Sequence, residues 1–337
     1  MQGLEVKKFK SMYPHPLTNW IPYSLTYDPE GQWVLSWIDL QNRSITEPFF
    51  DQTIQISKWR NRERSVLSSL SDPDFLIAAA QGIPHLNPTA FIFHVSRCGS
   101  TLLTQAFCED EENIVISEAP LLDEILRANE KDPNMIPEQQ EKWFKAALNM
   151  MGQQRNFKES SYTIKLDSWH LHFYTQLRNW FPVTPFIFIF RTPEQVLASQ
   201  EKRRGIHSVP GIINKALLGI DLTKAYFGDF NRYTADVIEQ YYLRIINAHQ
   251  DGHPLNFFAD YGDGVRRMIF LYSNITGIMI KDEAKLKTRL TFHSKSPNEP
   301  FKEDIPPDSK FTYEHLSRAY RHLKELTASE NHIPSCK

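Results

Sequence analysis

The chain has 337 residues, a formal net charge of −2 and 41% hydrophobic residues, enough to bury a large core and too evenly balanced for a broad nucleic-acid or membrane surface. Its first residues, Met1 to Lys8, lack an apolar signal core, and no run approaches the roughly 20 apolar residues that span a bilayer. Three cysteines, Cys98, Cys108 and Cys336, have no metal-like spacing and cannot all pair with one another, so the expectation is a cytoplasmic protein with neither nucleic acid nor membrane as partner.

In chain order, residues 1–85 read as a small β-rich accessory module. Alternating stretches at 33–37 and 53–57 are separated by turn material at Asp28 to Gly31, and 66–82 reads as a helical connector broken at Asp72-Pro73. Pro84 to Pro88 mark a boundary, with 86–337 as the main domain. From residue 90 onward, apolar strand candidates at 91–95, 113–117, 161–166, 185–190 and 255–260 alternate with helical stretches. That alternation predicts an α/β fold with a five-stranded parallel sheet covered on both faces. Ligands in such sheets sit at the carboxyl ends of the strands, which directs attention to Arg97, Glu118, Lys165 and Arg191.

The first of these strands runs into Ser96-Arg97-Cys98-Gly99-Ser100-Thr101 and then a helix. Gly99 lets the backbone turn so that the amides after it, unpaired at a helix start, converge on an anion. Compared with the common G-x-x-x-x-G-K-[ST] loop, His94 stands at the first glycine and Ser100 at the lysine, leaving Thr101 in register and a cation, Arg97, displaced toward the loop's start.

A second strand, 185–190, ends in Arg191-Thr192-Pro193. Thr192, Pro193 and Gln195 read as a hydroxyl cap, a first-turn proline and a capping-box partner. Ser199, seven residues after Thr192, falls about two turns along the same helical stripe. A guanidinium and a hydroxyl converging there suit a phosphate. Lys202, Arg203 and Arg204 add a local basic cluster, with a solvated helix end as the alternative.

Glu118 follows the 113–117 strand, where a carboxylate serves either as general base or as a helix-start cap before Pro120. Lys165 interrupts an apolar strand near its end; burying its ammonium requires a facing anion, either a ligand or a structural partner such as Asp167 or a neighbouring acid.

The two phosphate motifs, in this order, resemble the P-loop sulfotransferases that use 3′-phosphoadenosine 5′-phosphosulfate (PAPS), closest in style to the tyrosylprotein and bacterial branch. The resemblance covers roughly residues 90 to 300. It implies that Ser96, Arg97, Cys98, Gly99, Ser100 and Thr101 hold the 5′-phosphosulfate, and that Arg191 and Ser199 hold the 3′-phosphate. By the same likeness Lys165 steadies the leaving group, Glu118 is the base, and Arg97 assists catalysis. A late basic loop with Ser294 and Lys295 closes over the nucleotide, and no metal is needed. His170, His172 and His207 are rival bases. Asn256 to Asp263 is similar to a family segment whose role is packing, so Tyr261 is not placed in the site. The product is 3′,5′-ADP, the acceptor a hydroxyl or amine of a small molecule or peptide, and segments 130–160 and 205–232 are expected to build its pocket. The sequence leaves open the oligomeric state, a P-loop small-molecule kinase, and a non-catalytic nucleotide-binding protein. A thiol enzyme built on Cys98 is disfavoured because Thr104 stands where the phosphatase loop needs arginine.

Overall fold

The computed structural model describes residues 15–62, 67–293, 296–300 and 311–328. In chain order the elements are β1 (Trp20–Tyr27), β2 (Trp33–Asp39), α1 (Phe50–Asn61), β3 (Ser69–Ser71), α2 (Pro73–Gly82), β4 (Ala90–His94), α3 (Ser100–Gln105), β5 (Asn113–Ser117), α4 (Pro120–Leu126) and α5 (Pro137–Met151). They continue with β6 (Ser161–Lys165), α6 (Tyr174–Trp180), β7 (Phe186–Phe190), α7 (Pro193–Lys202), α8 (Lys215–Leu218), α9 (Phe230–Gln250), β8 (Asn256–Asp260), α10 (Val265–Thr276), α11 (Glu283–Thr291) and α12 (Glu314–Ala328).

Five strands form one sheet in the order β5-β6-β4-β7-β8, every pair parallel. The five expected strands are all present, each within a residue of its expected limits. A parallel sheet buried on both faces selects runs of large apolar residues. Register places Phe93, Phe188 and Phe258 side by side, with ring centroids 5.0 and 5.2 Å apart. Each such ring stabilises the fold by roughly 1.5–3 kcal/mol on burial. The chain leaves β4 for β5 on one side and later returns to β7 on the other, so the loop after β4 lies where the strand order reverses.

The N-terminal segment is a three-stranded antiparallel sheet, β1-β2-β3, with two helices. Residues 28–31 do turn between β1 and β2, with the Asp28 carboxylate accepting from the amides of Glu30 and Gln32. Two expectations fail. Residues 53–57 lie in α1, because Thr53, Ile54 and Ser57 fall at helical spacing on its buried face. Asp72-Pro73 begins a helix rather than breaking one: the Asp72 side chain caps the Phe75 amide at 2.7 Å and proline takes the first turn, while residues 69–71 pair with β2.

This small sheet shares one hydrophobic cluster with the main sheet's helices. It is pinned through Gln153, which bridges the Asn19 amide and Trp20 carbonyl, and through Glu124 of α4, which accepts from the Leu25 amide and the Ser24 hydroxyl. Among the described residues, no helix is long and apolar enough to cross a membrane.

Burial pushes the Glu124 carboxyl up to about 7 against those two hydrogen bonds. A carboxyl raised in the folded state contributes stability that is full below the unfolded value and lost as pH rises through the folded one. The window is therefore about pH 4.5 to 7, and the expected loss is on the order of 3 kcal/mol. Thermal melts from pH 4.5 to 8 should show this decline, and Glu124→Gln should remove most of it.

Candidate functional site

After β4 the backbone takes an unusual path. Ser96 (φ 70°), Arg97 (φ 52°) and Gly99 (φ 81°) all lie in the left-handed region. For Ser96 and Arg97 that costs about 1 kcal/mol each, and such turns form concave arrays of amides that receive anions. Gly99 is the N-cap of α3 and makes no side-chain cap, so the amides at the helix start face the turn. Gly99 is also sterically required: a Cβ there would stand 2.5 Å from two ring carbons of Tyr261.

Beneath the loop, the sheet sets a charged cluster. Lys165 ends β6 opposite Ser117, and the Glu118 amide continues the ladder onto the Lys165 carbonyl at 2.8 Å. Lys165 is fully buried; its Nζ donates to Thr101 Oγ1 at 2.9 Å and lies 2.7 Å from Glu118 Oε1. The anion that this ammonium requires is thus Glu118, not Asp167. Burial acts to raise the Glu118 carboxyl, but the charge of Lys165, helped by His94, outweighs it and holds the group far below the ordinary carboxylate range. Glu118 itself has φ 51° and does not cap α4, whose N-cap is Ala119.

The second motif converges on the same place. Arg191 is only 7% exposed. Its Nε donates to Gln195 Oε1 at 2.9 Å, its Nη1 to the Arg97 carbonyl at 3.1 Å, and its guanidinium lies 4.4 Å over the Tyr261 ring. Nη2 is buried with no hydrogen-bond partner among the described residues. The expected capping box does not form. Instead, the Thr192 hydroxyl donates to Gln195 Oε1 at 2.8 Å, so Gln195 orients the arginine rather than capping the helix.

These groups open onto one cavity of about 620 Å³. Ser96, Arg97, Cys98, Gly99, Ser100, Thr101, Glu118, Arg191 and Ser199 all line it, with Lys165 supporting its floor through Thr101 and Glu118. Arg97 also crosses to the Arg203 carbonyl. The Cys98 thiol is pushed up to about 11 by burial and is not a thiolate near neutrality. Ser294 and Lys295 lie outside the described residues, as does Cys336.

Of the rival bases, His207 lines the cavity, bonded to Gln200 at 3.1 Å. His170 is held against Asp123 at 3.0 Å. His172 pairs with Arg244 at 3.1 Å, and burial with that neighbouring charge lowers it to about 3. The segment 130–160 contributes nothing to the lining; about half of it is α5, packed on α2, α4 and β1. In its place the cavity takes Phe49, Asp51 and Gln52 from the N-terminal segment, together with His94, Asp167, Trp169, Tyr261 and the Lys202–Arg204 cluster. The position of Asp167 and Trp169 just past β6 is the signal that could have found them. For Phe49, from a segment remote in sequence, no such signal exists.

No protein-family model matches the chain, and no curated protein matches it. Among solved structures it is similar to the sulfotransferase STF1 of Mycobacterium tuberculosis H37Rv, at 13% identity over 75% of this chain and 79% of that one, with a TM-score of 0.42. It is also similar to a mouse sulfotransferase, SULT7A1, complexed with PAP, at 13% identity over 77% and 90% of the two chains, with a TM-score of 0.36.

Two stability measurements test this geometry. Gly99→Ala should cost about 2 kcal/mol or more in urea unfolding, and less in a Tyr261→Ala background, where the two closest contacts are gone and the positive φ and Met268 Cε at 3.2 Å remain. Lys165→Met strips a partly buried carboxylate of its cation and should cost roughly 2 kcal/mol or more. Adding Glu118→Gln should recover part of that loss.

Proposed function

We propose that this protein is a sulfotransferase that moves the sulfuryl group of PAPS to the hydroxyl or amine of an acceptor, releasing 3′,5′-ADP. The observation that carries the reading is the Arg191 guanidinium: buried, fixed by Gln195, the Arg97 carbonyl and Tyr261, yet with Nη2 unsatisfied among the described residues. A buried donor without a partner is costly, and a phosphate at that end of the cavity would satisfy it, with Ser199 as a second donor. At the other end, the turn amides and the Ser100 and Thr101 hydroxyls suit a phosphosulfate. One donor bearing anions at both ends accounts for both cradles, and Ser294 and Lys295 remain proposed ligands for it.

In this reading Arg97 and Lys165 offset the charge that builds on the bridging oxygen as the S–O bond breaks, while the acceptor's oxygen or nitrogen forms a bond to sulfur and its proton passes to Glu118. Lys165 and His94 both face Oε1 of Glu118; among the described residues no hydrogen-bond or ion-pair partner meets Oε2, the oxygen left to take the proton. At rest the carboxylate is ionised but weakly basic. As charge grows on the leaving group it competes for the Lys165 ammonium, and the basicity of Glu118 rises when the proton must move. Positioning and charge stabilisation supply most of the rate. The described part of the N-terminal segment, residues 15–62 and 67–85, would act as an accessory wall, placing Phe49, Asp51 and Gln52 on the acceptor side.

Calorimetric titration with 3′,5′-ADP should show binding, weakened by roughly 100-fold in Arg191→Ala, as expected for two charge-assisted contacts. Arg97→Ala should lower turnover of PAPS on the order of 100-fold. Absence of 3′,5′-ADP binding together with magnesium-dependent ATP binding would instead identify a kinase, and binding without any sulfuryl transfer would identify a non-catalytic protein.

A further inference from the structure

The imidazole of His94 is 3% exposed, stands at the end of β4 and lines the cavity. Its Nδ1 accepts the Ser96 amide at 3.0 Å. That contact assigns the ring proton to Nε2, which lies 3.3 Å from Glu118 Oε1. The two residues it links, Ser96 at φ 70° and Glu118 at φ 51°, are both non-glycine residues held in the left-handed region. One belongs to the turn that receives the donor and the other is the carboxylate beside Lys165. Neither conformation is favoured locally, so each depends on its surroundings, and one rigid ring touches both, accepting the Ser96 amide through Nδ1 and standing 3.3 Å from the Glu118 carboxylate through Nε2.

We propose that His94 is a positioning residue that ties the anion-binding turn to the general base, fixing Glu118 through Oε1 so that Oε2 meets the acceptor. This inference rests on the sulfotransferase reading. The ring does two separable jobs, one per nitrogen. Its Nδ1 shapes the turn, which governs donor affinity. Its Nε2 aims Glu118, which governs the chemical step. A glycine, as in the common form of the loop, could do neither.

The two amide side chains separate these jobs. In His94→Asn the side-chain oxygen falls near the Nδ1 position and keeps the Ser96 contact, but the side chain is too short to reach Glu118. In His94→Gln the terminal amide falls near the Nε2 position and keeps the Glu118 contact, losing Ser96. With 3′,5′-ADP as the calorimetric probe and conversion of PAPS by water as the turnover assay, His94→Asn should bind within about threefold of wild type and turn over roughly tenfold or more slower at saturating PAPS. His94→Gln should reverse the pattern, with affinity down by roughly tenfold and saturating turnover within about threefold. In a Glu118→Gln background, His94→Asn should have little further effect on turnover. Equal losses in both variants that follow their melting temperatures would reduce His94 to a packing residue and overturn the proposal, as would full retention of both properties. If wild type binds 3′,5′-ADP and consumes PAPS while the variants fail to separate, only this inference falls; if wild type does neither, the sulfotransferase reading falls and takes the inference with it.

Discussion

The Lys165 ammonium, withdrawn entirely from water at the end of β6, is the charge around which the site is organised. An unpaired ammonium at that depth would be prohibitive. Parallel pairing of β5 with β6 supplies its partner by register alone: the ladder runs through Ser117 opposite Lys165 and continues to the Glu118 amide, so carboxylate and ammonium meet at 2.7 Å. The second contact, to Thr101, reaches from the sheet to the first turn of α3. Through these two contacts Lys165 ties β6 to the residue after β5 and to the first turn of α3, and sets the floor on which the turn after β4 rests.

The other end of the cavity depends on a stacked arrangement in which, among the described residues, no carboxylate pairs with the arginine. Tyr261, just past β8, lies against Gly99 so closely that no side chain fits there, and its ring carries the Arg191 guanidinium. Arg191 in turn bonds the Arg97 carbonyl. The turn after β4 is thus held from below by Lys165 and from the side by Arg191 and Tyr261. This over-determination lets Ser96 and Arg97 keep conformations they would not hold alone.

Much of this was legible in the sequence because it follows from local rules. Five buried strands announce themselves as apolar runs, and the residues just past them, Arg97, Glu118 and Arg191, occupy one cavity as the carboxyl-end rule requires. What was not legible depends on tertiary packing. The stretch 53–57 alternates like a strand, yet its Thr, Ile and Ser also fit a helix face, and packing decided for the helix. Gln195 has the spacing of a capping partner, but a buried arginine competes for its carbonyl and wins. Phe49, Asp51 and Gln52 reach the cavity from an N-terminal segment whose docking is determined by Glu124 and Gln153. His94 stood out only as a departure from the usual glycine, since its role depends on Glu118, a residue brought near by a different strand.

Replacing the loop lysine by Ser100 and delivering the cation from a neighbouring strand changes what the loop can hold. A lysine on the loop leaves the following hydroxyl free to offer a lone pair to a metal ion. Here Lys165 already donates to Thr101 Oγ1 at 2.9 Å, so a positive charge sits against that lone pair and leaves the hydroxyl's own proton to be donated elsewhere. A Thr101 in this state is a donor to anions and, at about 3 Å from an ammonium, a poor ligand for a cation. Every polar group that the turn presents is then of one kind: amides, hydroxyl protons and guanidinium. Such a surface would meet an anionic donor with protein donors, which supports the proposed phosphosulfate, whose terminal group carries less charge than a terminal phosphate, over a nucleoside triphosphate accompanied by magnesium.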